Sequence, residues 1–324
     1  MQNALSFLCI GSITSDVYLT NVDKLAPVCK NPDECFYNVR LGDKIYVNHL
    51  EQHVGGGAAN AAVTFARGAQ HVTFMGKIGY DAAGSAAVKT FRDEGIDYAA
   101  LSYTSDHSTD YSTLLLAPNG ERTILTYRGC GMSLTPDDFV FAKLNRKIDW
   151  IYLTSLVGKF DIYRQVMQFA QEQGCKIAFN PGGKELDQPE KLKALLNNVE
   201  ILSVNKQEAK ALVDGDGLKT LAYNLHAFCP TVLVTDGVNG SVVVTEQRAI
   251  RAGLYNGQEV LSDRTGAGDA FCSGFTLRYA LGDDLESAIT FAAANSASVI
   301  GQIGAQPGIL RGLPQLTPVD TKEL

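Results

Sequence analysis

Short apolar runs of strand length punctuate the chain at Leu5–Ile10, His71–Met75, Asp149–Leu153, Lys176–Asn180, Glu200–Val204, Thr231–Thr235 and Ser241–Thr245. Between most of them, apolar positions recur at helical spacing over 58–67, 82–94, 161–173, 189–197, 206–213 and 217–228. Two more helices are predicted near the C-terminus, at about 268–281 and 284–300. The second opens on Asp283 with Glu286 three residues on, in the manner of a capping box. Near-continuous apolar strands alternating with helices predict an α/β fold, a mainly parallel sheet covered on both faces.

Two regions break this rhythm. Residues 13–53 are irregular, polar and rich in strand formers. Residues 101–128 read as a hairpin, with Tyr111–Ala117 and Arg122–Tyr127 joined through Pro118-Asn119-Gly120-Glu121. Together the two segments are expected to form a small β-sheet beside the main body. Such a sheet would serve as a lid that keeps water out of a cleft; two surface decorations fit the same pattern.

The 324 residues are 45% hydrophobic and 19% charged, which suits one large α/β domain spanning 1–324. The formal charge of −7 excludes a general nucleic-acid or anionic-membrane surface. Seven cysteines, an odd number with no CxxC spacing, argue against a disulfide framework or a zinc site and for reduced thiols in a cytoplasmic protein. No apolar run is long enough to span a bilayer. The stretch Ala4–Ile10 lacks the positive flank of a signal peptide and reads as the first buried strand.

The chemistry concentrates in Asp263-Arg264-Thr265-Gly266-Ala267-Gly268-Asp269-Ala270-Phe271. Gly266, Ala267 and Gly268 open a helix with almost no side chain, leaving backbone N–H groups bare at the positive end of the helix dipole. That arrangement binds anions. Asp269 at the same point is placed to take a proton from an attacking hydroxyl. The pair suits phosphoryl transfer, although a glycine-rich turn capped by an aspartate has the same composition.

The stretch Asp263–Phe271 resembles the C-terminal signature of the PfkB, or ribokinase-like, carbohydrate kinase family. Four more segments match that family in order: Gly11-Ser12-Ile13-Thr14-Ser15-Asp16, Gly55-Gly56-Gly57-Ala58-Ala59-Asn60, Gly79-Tyr80-Asp81-Ala82-Ala83-Gly84 and Asn205-Lys206-Gln207-Glu208. The resemblance implies a three-layer sandwich with a β-sheet lid and an ATP-dependent kinase acting on a hydroxyl of a sugar. It implies Asp269 as the base and Gly266, Ala267 and Gly268 as the anion hole. Asp16, Gly55, Gly56 and Asn60 would hold substrate hydroxyls. Asn205 and Glu208 would act around Mg²⁺ and the phosphates through water. Thr235, Gly237 and Gly240 would bind nucleotide, with Asn295 near the adenine. Asp263 and Thr265 fall where many members hold a monovalent cation such as K⁺.

The residue types support several of these roles independently. A carboxylate such as Asp16 accepts two vicinal hydroxyls at once. Gly55 and Gly56 let the backbone approach a ligand. Asn205 follows the run Ile201–Val204 and so stands at the C-terminal end of a strand, where open α/β sheets bind ligands. Asn205 and Glu208 also spell a plain capping box.

Gly57 stands where ribokinases proper usually carry lysine, and Leu153-Thr154-Ser155 where that branch offers a glutamate; both departures point away from ribose. A nucleoside kinase of the same fold is the alternative, for which Tyr18, Phe36, Tyr37, Tyr46, Tyr103 or Tyr111 would have to stack on a base. A dinucleotide oxidoreductase is disfavoured because Gly55-Gly56-Gly57 lacks the G-x-G-x-x-G order. His49 and His53, four apart, would make a metal pair or place His53 in the substrate pocket. Exposed strand edges on the lid invite pairing with a second copy of the chain.

Overall fold

A computed structural model describes residues 4–22, 27–31, 34–117, 121–256 and 262–324. Its centre is a nine-stranded sheet. From one edge the order is His71–Met75, Ser6–Ile10, Trp150–Leu153, Lys176–Phe179, Ile201–Asn205, Thr231–Thr235, Ser241–Val244, Ala249–Ala252 and Thr321–Glu323. The strands run parallel as far as Thr231–Thr235, and the last three are antiparallel.

The inner strands are mostly apolar because both faces are covered, while the edge strand Thr321–Glu323 is polar and exposed. In Ser6–Ile10, Phe7 and Cys9 pack into one core while Leu8 and Ile10 pack into the other, as the two-residue period of a strand requires. Leu233 and Val243 likewise face the first core, and Val232, Val234, Val242 and Val244 the second. Helices Gly57–Arg67, Ala82–Asp93, Ala267–Ala280 and Leu285–Ile300 cover the first face. Helices Phe160–Gln173, Pro189–Leu196, Lys206–Leu212 and Leu218–His226 cover the second. The result is the three-layer sandwich the pattern predicts.

Beside it lies a four-stranded sheet in the order Arg122–Tyr127, Asp110–Leu116, Thr14–Val22 and Val47–Gly55. Thr14–Val22 and Asp110–Leu116 pair in parallel, bringing the two irregular regions of the sequence into one sheet. The hairpin strands pair with Arg122 opposite Leu116. The turn residues Pro118, Asn119 and Gly120 lie outside the described residues. Asp81 fastens this sheet to the core: it caps helix Ala82–Asp93 through the N–H of Gly84 and accepts from the N–H and hydroxyl of Thr109.

Three details depart from the sequence reading. The last helix is capped by Asp284, which accepts from the N–H of Ser287, while Asp283 pairs with Arg278. Ala249–Ala252 and Thr321–Glu323 add strands that low β-propensity concealed. Cys29 and Cys35, opposite one another in a two-stranded ribbon, form a disulfide, so the expectation of reduced thiols holds only for the five free cysteines. Among the described residues, no helix is long and apolar enough to cross a membrane.

Candidate active site

The C-terminal ends of Ser6–Ile10, Ile201–Asn205 and Thr231–Thr235 open toward one side of the sheet. There a cleft forms against the small sheet, lined by Ser12, Thr14, Asp16, Gly56, Gly57, Asn60, Ser112, Leu114, Ile124, Thr126, Arg128, Thr265 and Asp269. Segments more than two hundred residues apart in sequence therefore meet at one spot.

Asp16 comes from the strand Thr14–Val22, where it stands opposite His53 on one neighbour and Ser112 on the other. It is buried, and burial pushes its carboxyl up to about 6; a hydrogen bond from Ser112 and the charge of Arg128 oppose this, and Asp263 and Asp269 add to it. The glycines beside it are required by space. A Cβ on Gly55 would lie 2.0 Å from Oδ2 of Asp16. Gly56 has φ +99° and would place a Cβ 2.4 Å from the carbonyl of Ser12.

Asp269 sits in the first turn of helix Ala267–Ala280. Gly266 caps that helix with φ +78°, and a Cβ there would be 2.3 Å from the Cβ of Ala305. Beside Gly268 a Cβ would meet nothing within 4 Å, so the face of the first turn is open. The N–H of Ala267 reaches the carbonyl of Arg264 at 3.4 Å, and the first turn of a helix leaves further N–H groups without intrahelical partners. Asn60, on helix Gly57–Arg67, donates from Nδ2 to Oδ2 of Asp269 at 2.8 Å. The two helices are also tied by the hydroxyls of Ser273 and Thr64 at 2.9 Å. Burial raises the Asp269 carboxyl above the usual carboxylate range, and the bond from Asn60 works against it. With Oδ2 engaged, Oδ1 is the oxygen with no hydrogen bond among the described residues. Gly57 leaves room beside it, since even a Cβ there would come to 3.2 Å of Oδ1.

Asn205 and Glu208 form the reciprocal capping box in full. Asn205 Oδ1 accepts from the N–H groups of Gln207 and Glu208, and Glu208 Oε2 accepts from the N–H of Asn205. Burial raises the Glu208 carboxyl, and the charge of Asp269 adds to the rise, so the two carboxylates share one electrostatic neighbourhood. Neither residue lines the cleft, and their link to it is this coupling to Asp269. Among the described residues, no three or more His, Cys, Asp or Glu side chains cluster as a metal cage. An oxygen-only, sparse donor set of this kind fits Mg²⁺, which keeps its waters and is held largely by phosphates.

Asp263 is wholly buried. Its Oδ1 accepts from the N–H and hydroxyl of Thr265, and Oδ2 accepts from the N–H of Gly304 at 3.3 Å. Among the described residues it has no ion-pair partner, and a buried carboxylate without one is a fitting neighbour for a monovalent cation. Thr235 ends its strand, and the loop after it closes through the N–H of Asp236 on the carbonyl of Gly240. Gly237 and Gly240 take φ of +52° and +81° in that loop.

Asn295, expected near the adenine, is fully buried; it donates to the carbonyl of Ala270 and accepts from the N–H of Leu310. His49 and His53 both bind the carboxylate of Glu51. Arg264 pairs with Glu121 at the end of the small sheet. Arg128, which pairs with the buried Asp110, was not foreseen as a cleft residue; its signal was the two-residue period that puts Ile124, Thr126 and Arg128 on one side of a strand.

The model of the pfkB family of carbohydrate kinases matches residues 17–311. The ribokinase of Staphylococcus aureus is 27% identical over 302 residues, covering 90% of this chain and 94% of that protein. In fold, the chain resembles the adenosine kinase of Sinorhizobium meliloti with a TM-score of 0.79 at 24% identity, covering 96% and 98% of the two chains. It resembles the Arabidopsis thaliana ribokinase complexed with ribose and ATP with a TM-score of 0.77 at 22% identity, covering 96% and 97%. Family membership makes the protein a phosphotransferase with a hydroxyl acceptor and supports a sugar or a nucleoside as that acceptor. With the motifs in family order, the cleft at the sheet's C-terminal edge and the family model spanning most of its length, the chain belongs to the pfkB family of carbohydrate kinases.

Proposed function

We propose that the chain is an ATP-dependent kinase that transfers the γ-phosphoryl group to a hydroxyl of a sugar. The observation that carries this reading is one cleft that joins a hydroxyl-binding carboxylate, Asp16, to a buried base, Asp269, at the open N-terminus of a helix. The lining supports a sugar over a nucleoside as the acceptor. Among the described residues, no aromatic side chain lines the cleft: Tyr18 is buried in the sheet, Tyr103 stacks on Tyr80, Phe36, Tyr46 and Tyr111 are solvent-exposed, and Tyr37 is half-buried away from it. The apolar lining is Leu114 and Ile124, Gly56 and Gly57 add bare backbone, and the remainder is hydroxyl, amide, carboxylate and guanidinium, a surface suited to a polyol.

In this mechanism Asp16 and Asn60 orient the sugar under the small sheet, which acts as a lid. Oδ1 of Asp269 accepts the hydroxyl proton as the oxygen bonds to the γ-phosphorus and the bond to the leaving ADP oxygen breaks. The N–H groups of the Gly266–Gly268 turn take up charge on the moving phosphoryl. Mg²⁺, held by the nucleotide phosphates with Glu208 and Asn205 through water, would supply charge neutralisation there. Thr235, Gly237 and Gly240 are proposed to border the nucleotide, and Asp263 with Thr265 to neighbour K⁺. A cytoplasmic setting and a homodimer through the small sheet belong to the same proposal; light scattering at micromolar concentration would reject the dimer by returning a monomer mass.

The test is ADP release with Mg²⁺ and K⁺ over a panel of ribose, fructose, tagatose, 2-keto-3-deoxygluconate, adenosine and inosine. A sugar hit supports the reading. A nucleoside hit keeps the mechanism and overturns the acceptor class.

A further inference from the structure

Asn60 serves Asp269 in only one orientation of its amide. A carboxamide has a donor end and an acceptor end of nearly the same shape, and turning it over exchanges them. With Nδ2 toward Asp269 the contact is the donated bond of 2.8 Å. With Oδ1 there, oxygen would face oxygen, and only a protonated carboxyl could answer it. What selects between the two is the group on the other side of Asn60. That group is Gln306, whose Nε2 donates to Oδ1 of Asn60 at 3.2 Å.

Both amides are nearly closed to water, Asn60 at 3% and Gln306 at 7% exposure, so solvent does not substitute for either partner. Gln306 is itself held in place. Its carbonyl accepts from Nη1 of Arg67 at 2.9 Å, and the same nitrogen reaches the carbonyl of Ile309 at 2.8 Å. The Arg67 guanidinium is clamped by Glu94, Nη2 to Oε1 at 2.6 Å, with both side chains largely buried. A continuous run of contacts therefore leads from Glu94 through Arg67, Gln306 and Asn60 to Asp269.

We propose that Gln306 is a positioning residue for the base: by donating to Oδ1 of Asn60 it fixes the amide so that Nδ2 faces Asp269, which keeps that carboxyl deprotonated with Oδ1 turned to the acceptor. The inference rests on Asp269 being the base. It adds a residue that touches neither substrate nor nucleotide.

The test compares the wild type with Gln306→Met, close in volume but without a donor, and Gln306→Glu, which when ionised only accepts and so favours the reversed amide. Gln306→Asn, a shorter donor, is the further variant should either of the others fail to fold. Two readouts are needed. One is the titration of the Asp269 carboxyl carbon in protein labelled at aspartate, assigned by its loss in Asp269→Asn and requiring no substrate. The other is the pH profile of kcat with whichever panel sugar is turned over.

Gln306→Met should move the Asp269 midpoint and the acid limb of kcat upward by roughly one pH unit, as loss of a hydrogen bond to the charged form does. Gln306→Glu should move them further, and kcat should recover above the limb in both. An Asp269 midpoint unchanged in folded Met and Glu variants overturns the proposal and leaves Gln306 as packing. Normal turnover in Asp269→Asn would instead remove the base assignment itself, so the two failures are separable.

Discussion

Replacing Asp16 by asparagine should make the protein more stable and a worse enzyme. The carboxyl of Asp16 is pushed from 3.8 to about 6 by burial. A raised folded-state value means that folding favours the protonated form. The native state is therefore penalised as pH rises through the interval from 3.8 to about 6, and the penalty is complete above it. A gap of roughly two pH units at 1.36 kcal/mol each corresponds to about 3 kcal/mol at pH 7.5 and about half of that at pH 5. Asparagine keeps the shape and removes the charge. Urea unfolding at the two pH values should show Asp16→Asn more stable than wild type by about those amounts, with the advantage shrinking toward acid. The same variant should raise KM for the sugar while lowering kcat less, because an amide accepts fewer hydroxyl bonds than a carboxylate. A variant no more stable than wild type at pH 7.5, or an advantage that does not vary with pH, would refute the reasoning.

Other outcomes follow from the same geometry. In the wild type, kcat/KM should fall below about pH 6 as Asp16 takes up its proton, and a pH series on Asp16→Asn should lose that step and keep only the limb set by Asp269. Gly266→Ala should destabilise the fold by about 2 kcal/mol or more in urea unfolding, since the residue needs φ +78° and its Cβ would lie 2.3 Å from that of Ala305. Glu208→Gln should raise the Mg²⁺ concentration for half-maximal activity several-fold in a metal titration while leaving KM for the sugar near the wild-type value. Exchanging K⁺ for choline should lower turnover, and Asp263→Asn should remove the difference between the two salts.

Much of this architecture was legible because it depends on local pattern. Both faces of the strands are buried, so continuous runs such as Leu5–Ile10 and Thr231–Thr235 stood out, and the helices between them carried clear periodicity. The glycines at 55, 56 and 266 stood out in the motifs, but the atoms that crowd them, from Asp16, Ser12 and Ala305, are protein neighbours that the sequence did not name. What escaped was long-range. Ala249–Ala252 and Thr321–Glu323 become strands only because an existing sheet edge supplies partners. The return of the segment leading to Leu310 onto the amide of Asn295 also had no local signal. Cys29 and Cys35 pair only because a short ribbon sets them face to face. Gln306 carried no sequence signal at all, since its importance comes from meeting a side chain 246 residues away.

The most direct test of the central claim is ADP release by purified wild-type and Asp269→Asn protein with Mg²⁺ATP and the sugar panel, with folding of both checked by circular dichroism. The account predicts that one sugar drives ADP release matched by sugar phosphate, and that Asp269→Asn turns over roughly 10²–10⁴-fold more slowly, the range for loss of a general base. Sugar-dependent ADP release at near wild-type rate in the folded variant would contradict it.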